Sequence, residues 1–103
     1  MPLTSKQRSQ LRALAAAEDT IIQVGKSGIT ENLIASVNAA LKARELVKGR
    51  VLENSMLTAR EACDALCEAC RAESVQVIGT KFVLYKRNEK EPKIVLVKER
   101  KRA

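Results

Sequence analysis

The sequence contains no histidine and no tryptophan, and it has one phenylalanine and one tyrosine among 103 residues. Histidine is the commonest general base, and its absence excludes the Ser-His and Cys-His nucleophile pairs and every histidine-containing metal site. No pair of carboxylates with an evident spacing takes their place. We therefore predict that the protein is not an enzyme and that it has no cofactor and no small-molecule substrate.

The sequence also lacks the signatures of membrane and secreted proteins. No apolar run approaches the roughly 18–20 residues that a membrane span needs, and residues 1–6 lack the charged-then-apolar layout of a secretory signal. The three cysteines are an odd number without the spacing of a secreted disulfide framework. We expect a cytoplasmic protein with no membrane partner.

Positive charge, by contrast, is abundant and unevenly distributed. Of the formal net charge of +7, residues 86–103 carry +5, with eight Lys/Arg against three Asp/Glu. A basic balance predicts a polyanionic partner such as RNA, DNA or anionic lipid, although it also promotes solubility. Because aromatic rings for base stacking are scarce, any nucleic acid should be held mainly through phosphate and sugar, with low sequence specificity.

The first half of the chain alternates between helical and extended patterns. Thr4 and Gln7 form a capping box before a helix at residues 5–17, and residues 20–24 are β-branched enough for a strand. Thr30 is a good N-cap for a helix that reaches about residue 43. Residues 45–52 then alternate as a half-exposed strand, whose outer face carries Lys48 and Arg50.

The second half predicts one more helix and a hairpin. Thr58 and Glu61 form a second capping box, which opens a helix to about Ala72. Residues 75–78 and 82–85 are short strands joined by a turn at residues 79–81. The order α-β-α-β-α-β-β predicts a single compact α/β domain, with parallel neighbours formed by the crossovers and a final antiparallel pair. Residues 94–97 are a possible additional edge strand, followed by a charged, frayed end.

The stretch Gly25-Lys26-Ser27-Gly28 lies between the first strand and the second helix, and three interpretations compete for it. A phosphate loop of the Walker type requires a glycine where this chain has Thr20, so nucleotide hydrolysis is disfavoured. A GxxG link before a helix can instead let the backbone approach a nucleic-acid strand, as in KH domains. The third interpretation is a plain glycine turn.

Three cysteines, Cys63, Cys67 and Cys70, share one face of the third predicted helix. Structural zinc sites take four ligands, usually from separate short segments, and cysteine is among the most readily buried residue types. We therefore predict core packing and no metal site.

Several segments taken together resemble the small bacterial YhbY-type RNA-binding proteins, which are single-domain members of the CRM (chloroplast RNA splicing and ribosome maturation) family. The resemblance rests on residues 3–8 with 11–15, on Val24-Gly25-Lys26-Ser27-Gly28-Ile29-Thr30, on residues 43–48 and 51–52, and on residues 75–79 with 82–85. The family often has a third glycine at the position of Ser27. Gly49, inside a strand, and the basic extension after Val97 depart from the pattern.

The resemblance implies three helices on a four-stranded mixed sheet, similar to the C-terminal domain of translation initiation factor three. It also implies RNA binding through the GxxG loop and association with precursors of the large ribosomal subunit. The corresponding domain would cover residues 1–97, with a basic tail at residues 98–103. The oligomeric state is left open, with a monomer favoured.

Candidate RNA-binding residues follow from the loop and from the basic positions around it. In the loop, Gly25 and Gly28 would shape a backbone clamp, Lys26 would pair with a phosphate and Ser27 would bond to phosphate or sugar. The flanking candidates are Arg8, Arg12, Lys48, Arg50 and Lys81. The alternatives are RNA binding in splicing or translation control, and a protein-interaction adaptor in which the loop is only a turn.

Overall fold

Helices and strands follow one another in the predicted order. The computed structural model describes residues 3–88 and residue 94. The elements of this part of the chain are α1 Ser5–Ala16, β1 Thr20–Val24, α2 Glu31–Arg44, β2 Leu46–Val51, α3 Ala59–Cys70, β3 Glu73–Ile78 and β4 Lys81–Tyr85. The predicted α/β class and its three helices and four strands are confirmed.

The predicted helix starts are confirmed in detail. Thr4 and Thr58 each accept a hydrogen bond from the N–H three residues on, while Gln7 and Glu61 return the second bond of the capping box. Thr30 Oγ1 accepts the Leu33 N–H at 3.1 Å. These side chains satisfy amides that the first turn of a helix leaves without an internal partner.

The ends of several elements differ from the predictions by one or two residues. Helix α3 stops at Cys70, two residues early, because Arg71 takes a left-handed conformation with φ of 55°. Strand β3 begins at Glu73, two residues before the predicted start. The hairpin turn is only Gly79-Thr80, since Lys81 already belongs to β4 and pairs with Ile78.

The four strands form one mixed sheet in the order β1-β2-β4-β3. Strand β2 is parallel to β1 and antiparallel to β4, which is antiparallel to β3 in turn. Strands β1 and β2 are parallel neighbours, as the crossover between them predicts. Strands β2 and β3 are not neighbours, so the same expectation is wrong for them. Strand β4 lies between those two and supplies antiparallel hydrogen bonds to both.

Each face of the sheet has its own hydrophobic core. Helices α2 and α3 cover one face, where Val37, Leu41, Leu66 and Phe82 are among the buried residues. Helix α1 covers part of the other face with a smaller core, whose buried members are Leu11, Ala15, Leu46, Val75, Val83 and Tyr85. The predicted alternation of β2 is confirmed, because Val47, Gly49 and Val51 are buried whereas Arg50 is exposed.

Gly49, which looks out of place inside a strand, has a steric reason. A Cβ atom at this position would lie 2.5 Å from Phe82 Cζ and 3.2 Å from Ile22 Cβ. Phe82 is the direct cross-strand partner of Gly49, and its ring lies over the glycine. The pairing of β2 with β4 is regular here, whereas its pairing with β1 shifts register between Thr20 and Ile22, opposite Lys48 and Gly49. Glycine makes room for the Phe82 ring, which is 1% exposed.

Glu45, between α2 and β2, is a buried acidic residue that the sequence did not indicate. It is fully buried, and its φ of 63° ends α2. Its carboxylate accepts the Asn88 N–H at 2.7 Å and the Ile94 N–H at 2.6 Å. The carboxylate therefore ties the chain beyond β4 to the end of α2. The rest of the predicted edge strand, residues 95–97, and the tail at residues 98–103 lie outside the described residues.

Candidate nucleic-acid interface

The GKSG loop is a tight turn between β1 and α2. The Gly28 N–H donates to the Gly25 carbonyl oxygen at 3.0 Å, which closes a four-residue turn. The loop is fixed from both sides, because β1 ends one residue before it and Thr30 caps α2 two residues after it. The chain therefore holds the loop tip at a defined place at the end of the sheet.

The two glycines of this loop differ in what they require. Gly28 has φ of 68°, a left-handed conformation in which a side chain is strained. Gly25 has no positive φ, and an added Cβ would meet Asn54 Oδ1 and Leu52 Cδ1 at 3.6 Å, an ordinary contact distance. The backbone conformation therefore demands glycine at position 28. At position 25, glycine mainly keeps the loop surface open, because it has no side chain.

The loop tip exposes the side chains that a backbone clamp would use. Lys26 and Ser27 are both exposed. The first-turn amides of α2 follow them and carry the positive end of the helix dipole, although the exposed Glu31 offsets part of that potential. An ammonium group, a hydroxyl and a helix start thus lie together on one surface, a combination suited to a phosphate.

An open cavity of about 310 Å³ lies beside the loop. Besides the loop itself, polar side chains of Gln23, Asn32 and Ser36 line it. Asn32 and Ser36 are one turn apart on α2 and exposed, so they project from the same side of the helix as the loop. The sequence analysis missed these residues; the polar i, i+4 pair directly after the Thr30 cap was the available signal.

Two of the predicted flanking cations lie at the loop end of the sheet. Arg50 pairs with Gln23 of β1, two residues before the loop, and with Lys81 of β4 on its other side. Arg50 and Lys81 are both exposed. Like charges placed directly opposite each other across two strands are destabilising. A bound polyanion would remove this repulsion.

Lys48 and Arg12 lie further along the same sheet face. Lys48 is half-buried, and its Nζ is 3.4 Å from the Ala15 carbonyl oxygen near the end of α1. Arg12 is exposed on α1, where it donates to Ser9 Oγ at 2.9 Å. Together with Arg50 and Lys81, they bring four cations to this face of the sheet.

Arg8 is set apart from the other predicted cations. Its guanidinium donates to the carbonyl oxygen of Ser74, near the start of β3, whereas the loop lies at the level where β3 ends. The structure therefore gives Arg8 a role in joining α1 to the sheet. The assignment of Arg8 to RNA binding stays a prediction without support from its position.

The cysteines pack into the core as predicted. Cys63 and Cys70 are buried and Cys67 is half-buried, all on the inner side of α3. Hydrogen bonding to Cys63 and burial both raise the pKa of the Cys67 thiol, and burial raises the pKa of Cys70. Within the described residues, no cluster of Cys, Asp and Glu has the arrangement of a metal site. In the same part of the chain, no helix is long and apolar enough to cross a membrane.

Comparison with known proteins gives one consistent family. The Bacillus subtilis protein named "Probable RNA-binding protein YqeI" is 40% identical over 94 residues, which cover 91% of this chain and 98% of that protein. A protein of Haemophilus influenzae named "RNA-binding protein" is 34% identical over 94 residues, covering 91% and 94% of the two chains.

A solved structure has the same fold as this chain. The solution structure of the hypothetical protein SAV1595 from Staphylococcus aureus superposes with a TM-score of 0.76 at 43% sequence identity, covering 92% of this chain and 99% of that one. The family model of the CRS1 / YhbY (CRM) domain matches residues 3–86, from before α1 to just past β4. The chain therefore belongs to the CRS1/YhbY (CRM) domain family.

Proposed function

We propose that this protein binds RNA through the GKSG loop and the adjoining cationic sheet face. The observation that carries the proposal is that the exposed Lys26-Ser27 tip and the like-charged pair Arg50 and Lys81 lie at the same end of the sheet. The relatives named as RNA-binding proteins support RNA as the partner. In this mode the protein reads the backbone, and it needs neither a catalytic group nor a cofactor.

The physical basis of the clamp is a short-range contact with one phosphate. Lys26 supplies charge, Ser27 supplies a donor, and Gly25 leaves the loop surface without a side chain that would keep the strand away. A charge-assisted hydrogen bond of this kind contributes about 1.5–3 kcal/mol. The neighbouring polar side chains, Asn32 and Ser36, are placed to bond to sugar or to a second phosphate.

We further propose that the RNA is that of large-ribosomal-subunit precursors and that the protein assists their assembly in the cytoplasm. This follows the resemblance to YhbY-type proteins. Sedimentation of a cell extract tests it, because the protein should travel with large-subunit precursors during active growth at low salt. Finding it only at the top of the gradient would contradict the assembly role, while leaving RNA binding in splicing or translation control open.

The loop is tested by variants that leave its glycines in place. We expect Lys26→Ala with Ser27→Ala to change the free energy of unfolding by less than about 0.5 kcal/mol, because both side chains are exposed. Affinity for RNA should fall about ten-fold or more. Ser27→Asp should weaken binding further, since it brings a negative charge to the phosphate, although an acid near a helix start does not harm the fold.

A matched control separates the loop from net charge. Lys42→Ala removes one positive charge from an exposed position near the other end of α2. Filter binding across a salt series should show a small, nonspecific loss of RNA affinity for this variant and a large loss of RNA affinity for the loop variants. If the loop variants bind as the Lys42 variant does, GKSG is only a turn. If the wild type shows no salt-dependent affinity for RNA, the adaptor alternative replaces RNA binding.

A further inference from the structure

Helix α1 leaves part of its sheet face uncovered. At the far end, Leu46 and Tyr85 are buried beneath the helix. At the loop end, one row of residues that pair across neighbouring strands includes one residue from each of the four strands. All of them are exposed: Gln23, Arg50, Lys81 and Ile78. With neighbouring strands about 4.8 Å apart, this row is about 14 Å long. It starts at Gln23, which also lines the cavity beside the GKSG loop.

A groove opens between this row and the end of α1. It has a volume of about 210 Å³. We call it the sheet groove, and the residues that define it are Arg12, Ala15, Lys48, Ile78, Lys81 and Val83. Its rim carries three cations, while its floor is apolar. Among the described residues that line it, none is acidic.

Ile78 is the unusual member of the sheet groove. It is 62% exposed at the end of β3, although isoleucine is among the residues most often buried. Gln76, two residues earlier on the same face, adds an amide that can both donate and accept hydrogen bonds. An apolar surface, an amide and a cationic rim match the flat face, the polar edge and the phosphate of one nucleotide.

We propose that the sheet groove holds an unpaired nucleotide of the RNA strand whose backbone lies against the GKSG loop. This inference rests on the proposed RNA-binding function and extends it to the chemical class of the RNA, which is single-stranded at this point. The base packs on Ile78 and the end of α1, and the exposed Arg12 guanidinium lies at the rim, where it can stack on the base. Lys81 and Lys48 neutralise the flanking phosphates.

A duplex does not fit the same arrangement. Its bases are stacked and paired, so their faces are not available to Ile78, and its phosphates alone would meet the cationic rim. The groove therefore distinguishes single strands from duplexes without aromatic residues. The aromatic ring beneath it, Phe82, is 1% exposed and cannot stack on a base.

The test uses oligoadenylate of roughly ten nucleotides, its duplex with oligouridylate, and inorganic polyphosphate as an anion without bases. The NMR signal of the Ile78 δ1 methyl group is assigned by its loss in Ile78→Val. In the wild-type protein, oligoadenylate should shift this signal upfield through the ring current of the base. Polyphosphate should not do so. Ile78→Ala should weaken oligoadenylate binding on the order of three- to ten-fold and leave duplex binding unchanged.

Leu14→Ala is the matched control, because Leu14 is also an exposed apolar residue, on α1, and lies outside the sheet groove. It should bind all three probes as the wild type does. The groove proposal would be overturned if the Ile78 methyl signal did not move and Ile78→Ala bound oligoadenylate as tightly as the wild type does. If the loop variants were still impaired, the proposed RNA binding would stand. An equal methyl shift with polyphosphate would show a mere anion site. No affinity for any RNA would overturn both proposals.

Discussion

Replacing Gly49 by alanine tests whether the sheet that carries the cations depends on the contact between this glycine and Phe82. The added Cβ would lie 2.5 Å from Phe82 Cζ and 2.7 Å from Cε2, well inside the contact distance of about 3.5 Å. Neither partner can move easily, because Gly49 is in a central strand and Phe82 is 1% exposed. Overpacking of this kind costs about 1–3 kcal/mol.

The assay is reversible urea unfolding followed by far-UV circular dichroism, since the chain has no tryptophan for fluorescence. Gly49→Ala should lower the midpoint at unchanged m, and lower Tm by about 4–8 °C for each kcal/mol lost. Phe82→Leu removes the clashing atoms, but by itself it lowers the free energy of unfolding, because leucine buries less apolar area than phenylalanine. In that background, Gly49→Ala should cost at least about 1 kcal/mol less than in the wild type.

Two outcomes would refute this reasoning. One is a Gly49→Ala protein as stable as the wild type. The other is strict additivity of the two substitutions, which would show that the ring and the added methyl group do not meet. A Gly79→Ala variant serves as a contrast, because a Cβ there meets nothing within 4 Å, so any loss comes from its φ of 58° alone.

Two further predictions concern the tail and the cysteines. Deleting residues 98–103 should weaken RNA binding about equally for all sequences and flatten the dependence of log affinity on log salt, without unfolding the domain; unchanged affinity and slope would show that the tail takes no part. Cys67→Ser should lower the free energy of unfolding by about 1 kcal/mol, since a half-buried hydroxyl replaces a thiol. Chelators should leave Tm unchanged, and one equivalent of zinc that survives dialysis would contradict the core assignment.

The sequence predicted the elements well because their signals are local. The Thr4, Thr30 and Thr58 caps lie within a few residues of the atoms they bond, so reading the chain in short windows was enough. The period of two in β2 likewise separated its buried face from the one that carries Lys48 and Arg50. The family resemblance added the number of strands, which the periodicity alone left open.

What the sequence could not predict depends on contacts between distant segments. The insertion of β4 between β2 and β3 is a choice of strand partner that neither strand encodes alone. Gly49 is understandable only once Phe82 is known to lie across from it, and Glu45 only once the chain returns to it at residues 88 and 94. The row that joins Gln23 to Ile78 likewise appears only when the register of three strand pairs is known.

The carboxylate of Glu45 fixes the point from which the chain continues toward the basic tail. Helix α2 has 14 residues and is therefore about 21 Å long, with the GKSG loop at one end and Glu45, which holds the Ile94 amide, at the other. Residue 94 is therefore held at the end of α2 opposite the GKSG loop, about one helix length from Lys26. Because the basic tail continues from that end, deleting it leaves the loop contacts in place, and its contribution to RNA binding can be measured separately from that of the loop.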